Sequence, residues 1–168
     1  SRNVIREGKK TKEKVDVYSF ELLAYRPGTD WLPAVARAAD AKHRQAGGVA
    51  YDPIGQNLEV AERMSRAPRV RQRPLKAREL VGAAARIDRE IMRRNVVQYD
   101  QPDLTAGVEK SAWRPYSGGR LFQRTAPATA ALVAASEALW VYDQTTPQQT
   151  TRRIRSSVQL QAERRGAA

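Results

Sequence analysis

Residues 74–97 carry the pattern that most narrows what this chain can fold into. Placed at about 100° per residue, Leu80, Ala84, Ile87 and Ile91 fall on one face, with Val81 and Met92 at its margin. Arg78, Arg86, Arg89 and Arg93 fall on the opposite side. Such a segment predicts a long amphipathic helix that packs a core along one side and presents cations along the other.

Proline, glycine and capping residues divide the rest of the chain into further candidate helices. Val15, Tyr18, Leu22 and Tyr25 follow helical spacing over 12–25, and Arg26-Pro27-Gly28 ends that run, although the alternation at 15–19 also allows a short strand. Thr29 or Asp30 can cap a second helix beginning at Trp31 and stopping at Gly47-Gly48. A third starts after Pro53, carries Leu58, Ala61 and Met64, and ends before Pro68. Alanine-rich residues 127–142, with Leu132, Leu139 and Trp140, predict a helix at the centre of the core. A last helix from Pro147 keeps only Ile154, Val158 and Ala162 as an apolar set.

Residues 100–124 show no sustained period and contain two prolines and Gly118-Gly119, which predicts a long irregular loop. The expected fold is therefore all-α: a small helical bundle with a basic extended N-terminal arm (1–14) and one helical domain (15–168). That domain includes a basic connector at 66–78 and the central loop. A chain of 168 residues is of ordinary single-domain size.

Charge is segregated along this plan. The net charge is +12. Residues 1–14 hold six basic and two acidic side chains, 66–98 hold ten and three, and 152–168 hold five and one. The two intervening stretches are slightly acidic. Within RAPRVRQRPLKAR, residues 66–78, both prolines disfavour helix in the residue before them, so the piece should be extended. Alternate side chains then recur at about 6.6 Å, close to the spacing of successive phosphates on a strand. Twenty-three of the thirty basic residues are arginine, whose planar fork suits bidentate phosphate contact.

The candidate nucleic-acid-binding residues are accordingly Lys9, Lys10 and Lys12 in the arm, and Arg66, Arg69, Arg71, Arg73, Lys76 and Arg78 in the connector. Arg86, Arg89 and Arg93 on the long helix and Arg152, Arg153 and Arg155 near the end complete the set. No helix-turn-helix, zinc-finger or RNP-type signature accompanies them, so binding should follow shape and charge rather than sequence. The stretch SAWRPYSGGRLFQR, 111–124, interleaves Trp113, Tyr116 and Phe122 with Arg114, Arg120 and Arg124. Those rings either stack on bases or pin the segment to the core.

Little else points to chemistry. The chain has no cysteine and a single histidine, His43, which excludes thiolate metal sites, disulfides, cysteine nucleophiles and multi-histidine centres. No phosphate-cradling glycine motif occurs. Pro102-Asp103 followed by Glu109-Lys110 approaches a nuclease pattern, but that chemistry needs acid and lysine two apart on a strand, facing one metal. No catalytic residue, metal or cofactor is expected. Residues 125–142 are too short and, with Glu137, too polar for a membrane span, and no signal-peptide pattern is visible.

The arm at 1–14, the connector at 66–78 and the helices that follow resemble in layout the α-helical nucleocapsid proteins of filamentous archaeal viruses. That resemblance implies a virion capsid subunit that coats double-stranded DNA, held in A-form, as stacked dimers with another copy or a paralogous subunit. RNA is possible as the polyanion. The alternatives are a lineage-specific protein of a mitochondrial or other organellar ribosome, binding rRNA, and an enzyme without a recognisable site.

Overall fold

The computed structural model describes residues 2–6, 9–13, 17–42, 48–54, 56–66, 70–124 and 127–145. Its architecture is mixed α/β, which corrects the all-α expectation. Among the described residues there are five helices: α1 (Leu32–Lys42), α2 (Gln56–Ser65), α3 (Ala77–Met92), α4 (Pro102–Glu109) and α5 (Thr129–Thr145). Eight strands join them: β1 (Arg2–Arg6), β2 (Lys9–Glu13), β3 (Tyr18–Phe20), β4 (Val49–Tyr51), β5 (Gln72–Pro74), β6 (Val96–Gln98), β7 (Trp113–Tyr116) and β8 (Gly119–Phe122). They form four two-stranded sheets, β1-β2 and β7-β8 antiparallel, β3-β6 and β4-β5 parallel.

The centre is the α3–α5 pair. Leu80, Ala84 and Ile87 of α3 meet Ala131, Leu132, Ala135, Leu139 and Val141 of α5 in one buried cluster. Small side chains bring the two helices close: Gly82 lies under the Trp140 ring, where a Cβ would approach Cη2 and Cζ3 at 2.7 Å. Leu104 of α4 and Leu121 and Phe122 of β8 close the same core. A smaller cluster of Ala36, Val60 and Met64 joins α1 to α2. Arg63 fastens that pair from outside, donating to Asp30 Oδ1 at 2.9 Å and Thr29 Oγ1 at 2.8 Å. Leu58, read as part of the apolar set of α2, is exposed.

Both ends of α3 are closed by local bonds. The Lys76 N–H donates to Glu79 Oε2 at 2.8 Å, satisfying one of the orphan donors that every helix start leaves. At the other end the Arg94 N–H reaches Ile91 O at 2.8 Å and the Asn95 N–H reaches Glu90 O at 2.9 Å, with Arg94 left-handed at φ 57°. These two bonds are a Schellman motif with arginine in the usual glycine position.

Residues 17–25 are extended, not helical. Tyr18, Phe20, Leu22 and Ala24 turn inward while Val17, Ser19, Glu21, Leu23 and Tyr25 face solvent. Period two wins because β6 supplies a ladder, Tyr18 opposite Val96 and Phe20 opposite Gln98, and because Gln101 Oε1 accepts from the Leu22 N–H at 2.9 Å. The N-terminal arm is extended too, but as a hairpin of paired strands rather than a single free segment.

The predicted loop at 100–124 is instead α4 followed by the β7-β8 hairpin. Pro102 occupies the first turn of α4, where its missing N–H costs nothing. Ser117 and Gly118 both have positive φ, 45° and 78°, the conformation of a two-residue hairpin turn whose twist suits the strands. The connector at 66–78 contains β5, which pairs in parallel with β4 across α2, so β4-α2-β5 is a βαβ unit. No helix among the described residues is long and apolar enough to cross a membrane. The helix expected from Pro147 lies outside the described residues.

Candidate nucleic-acid interface

The structure sorts the candidate cations into separate groups. Lys9, Lys10 and Lys12 stand on β2 at register positions opposite Arg6, Ile5 and Asn3. Arg66 is exposed just past the end of α2, Lys76 is exposed at the start of α3 and Arg78 is exposed in its first turn. Arg73 is half-buried in β5. Arg71 is exposed but engaged, donating to Asp40 Oδ1 from Nε at 3.2 Å and from Nη2 at 3.1 Å. Arg69, Arg152, Arg153, Arg155 and His43 lie outside the described residues.

Arg86 does not join a phosphate-facing stripe. Its side chain is turned into the protein, where Nε donates to Asp143 Oδ2 at 2.7 Å, Nη1 donates to Glu90 and Nη2 donates to the Tyr18 hydroxyl at 2.7 Å. Burial works against the charge, yet the hydrogen bond to Asp143 and the charges of Asp143 and Glu90 outweigh it and hold the guanidinium above its ordinary pKa. Glu90 is buried and also accepts from Asn95 Nδ2 at 2.7 Å. Arg89 and Arg93 lie 3.7 Å and 3.8 Å from Glu90 Oε1, with their side chains largely in solvent. Three guanidiniums thus surround Glu90, with Asp143 as the second acid. Arg78, Arg89 and Arg93 keep an exposed basic side on α3.

The aromatic residues of the hairpin pack inward. Trp113 and Phe122 stack at 4.5 Å between centroids, and Phe122 is buried. Arg120 covers the Trp113 ring at 4.5 Å and Arg114 covers Tyr116 at 5.2 Å. Ring faces already occupied by core and guanidinium leave little area for a base, so these residues pin β7-β8 to α3.

Two features escaped the sequence reading. Arg124 reaches from the end of β8 to Asp52 Oδ2 at 2.9 Å and lies 3.9 Å from Glu137 Oε1, so one cation serves two buried carboxylates. Asp52 Oδ1 and Glu137 Oε1 have no hydrogen-bond partner among the described residues. Burial, aided by the charge on Asp52 and opposed by Arg124, pushes the Glu137 carboxyl up to about 7. The second feature is Arg94, exposed in its left-handed backbone conformation. No local signal marks the Arg124 pairing, since it joins elements far apart in the chain, whereas the conformation of Arg94 is set by the local bonds that end α3. No group of three or more His, Cys, Asp or Glu among the described residues is placed to hold a metal ion.

Comparison of the chain with protein-family models, with curated proteins and with solved structures returns no match.

Proposed function

We propose that this chain is a structural subunit that coats duplex nucleic acid, contacting the phosphate backbone without reading sequence. The observation that carries this reading is the register of the β1-β2 ribbon. Arg6 opposes Lys9, Ile5 opposes Lys10 and Asn3 opposes Lys12; only the Arg2–Glu13 pair matches opposite charges. Like charges directly across an antiparallel pair are destabilising, and two strands alone are marginal in water. A polyanion lying along the ribbon removes the repulsion and supplies the missing support.

Double-stranded DNA is the preferred partner. A two-stranded ribbon fits the B-form major groove, about 12 Å wide, whereas the deep, narrow groove of an A-form helix excludes it, so the duplex bound here is B-form DNA and not the A-form that the layout resemblance implies. The exposed cations Arg66, Lys76, Arg78, Arg89 and Arg93 provide a second set of phosphate contacts on the folded body. Coating also needs neighbouring subunits. Among the described residues no strand lies on the outer edges of the β3-β6 pair, and Val17, Val97 and Tyr99 are exposed beside it. That edge is a suitable place for another copy or a paralogous subunit.

The test is an anisotropy titration of a mixed-sequence duplex at several salt concentrations. Affinity should fall with a log–log slope of about −0.9 per phosphate neutralised, and exchanging Lys9, Lys10 and Lys12 for Gln should make the slope shallower by about 3. A flat salt dependence would remove the reading. Recovery of ribosomal RNA instead of DNA with the native protein would move the chain to an organellar ribosome.

A further inference from the structure

A cavity of about 250 Å³ lies between the C-terminal end of α3, the β3-β6 pair, α4 and α5. Its walls are apolar: Phe20, Ile87, Ile91, Val96, Leu104 and Leu132. Three polar residues also line it. Gln98 and Thr105 are already bonded, Gln98 donating to Thr105 Oγ1 and accepting from the Gln101 N–H at 2.9 Å. Arg94 is the third, and its guanidinium makes no ion pair or hydrogen bond with any described residue.

The backbone at Arg94 adds an independent observation. Its φ of 57° is the conformation in which glycine is the unstrained residue at a helix end, and a side chain there carries a steric cost. The chain therefore places an arginine in the lining of an apolar cavity, at a position where the helix terminus alone would favour glycine. Backbone strain of this kind concentrates at ligand sites.

We propose that this cavity binds a small amphiphilic carboxylate, with its hydrocarbon part against Phe20, Ile87, Ile91 and Leu132 and its carboxylate on Arg94. An apolar cavity of about 150 Å³ accepts benzene, so the present volume suits a ligand of about ten non-hydrogen atoms. The planar guanidinium fork matches a carboxylate in two parallel hydrogen bonds. An amine of the same length meets a like charge, and an alcohol forgoes the charge-assisted bonds. The site is separate from the β1-β2 ribbon, and its occupancy does not depend on the nucleic-acid reading.

The experiment is calorimetric titration of the full chain with octanoate, 1-octanol and octylamine as probes. Octanoate should bind one to one, and the alcohol and amine at least about tenfold more weakly. Arg94→Gln should weaken octanoate by about ten- to hundredfold and abolish the preference over octanol. Arg94→Gly should do the same while raising the unfolding midpoint, which separates loss of the ligand contact from loss of the fold. Ala135→Met, which fills the cavity from α5, should remove binding of all three probes. Failure of octanoate to bind, or unchanged octanoate affinity in Arg94→Gln, overturns the proposal. So does octanoate binding by a folded Ala135→Met protein.

Discussion

Arg86 Nε of α3 donates to Asp143 Oδ2 of α5 at 2.7 Å, and this contact turns Arg86 inward, away from the exposed side that Arg78, Arg89 and Arg93 keep. The same guanidinium bonds Glu90, whose side chain is only 3% exposed. Arg86→Ala should therefore leave Glu90 buried without its closest cation and destabilise the fold by about 3–5 kcal/mol. Urea denaturation measures that loss. At a salt where the variant stays folded, its duplex affinity and salt slope should match the parent's; a shallower slope would return Arg86 to the phosphate-binding set.

Glu137 makes stability depend on pH in a defined direction. The folded-state carboxyl is pushed up to about 7 by burial, against an ordinary value of 4.5. Between those values the folded protein binds more protons than the unfolded chain, so stability is highest below the lower value and falls until pH passes about 7. The loss should be on the order of 3 kcal/mol. Glu137→Gln cannot ionise, so it should match the parent in acid and exceed it at pH values above the folded-state pKa. Urea midpoints across that range read the difference, and parallel pH profiles for the two proteins would refute it.

At Gly82 helix propensity and packing pull in opposite directions. Alanine gains about 1 kcal/mol in a helix interior, but its Cβ would press on the Trp140 ring. Overpacking of this kind costs about 1–3 kcal/mol, so Gly82→Ala should be neutral to destabilising despite the better helix former. Chemical denaturation followed by tryptophan fluorescence measures the net sign, and a clear gain in stability would mean the ring moves aside freely.

Leu75 is 1% exposed, and its N–H donates to Tyr51 O at 3.0 Å, so it locks the basic connector to the core. Leu75→Ala should cost about 2–5 kcal/mol, as for other large-to-small core changes. A loss below about 1 kcal/mol would show that the site collapses around the missing atoms.

What was legible in the sequence follows from the range of the signal. The core side of α3 could be read because Leu80, Ala84 and Ile87 lie within a few turns of one another, and helical period is a local property. The alanine-rich α5 was legible for the same reason. The hairpin at 113–122 was hidden by its own turn: Gly118-Gly119 read as punctuation of a loop, although Gly118, together with Ser117, provides the positive φ that a tight hairpin needs. Leu75 drew no notice because the charges around it dominate the pattern of 66–78, while its burial depends on Tyr51 and the α3–α5 core.

The sequence by itself determined that α3 is amphipathic, that basic residues cluster at 1–14 and 66–98, and that cysteine chemistry is absent. Only the tertiary structure decided the parallel pairing of Tyr18 with Val96, the turning of Arg86 toward Asp143 and the sharing of Arg124 between Asp52 and Glu137. The physical reason is sequence separation. Each of those contacts joins segments brought together by burial of apolar surface elsewhere, and a ladder bond or an ion pair leaves no periodic trace in either partner. A helix repeats its signal every turn, whereas a carboxylate 57 residues away shows its effect on an arginine only when the chain has folded.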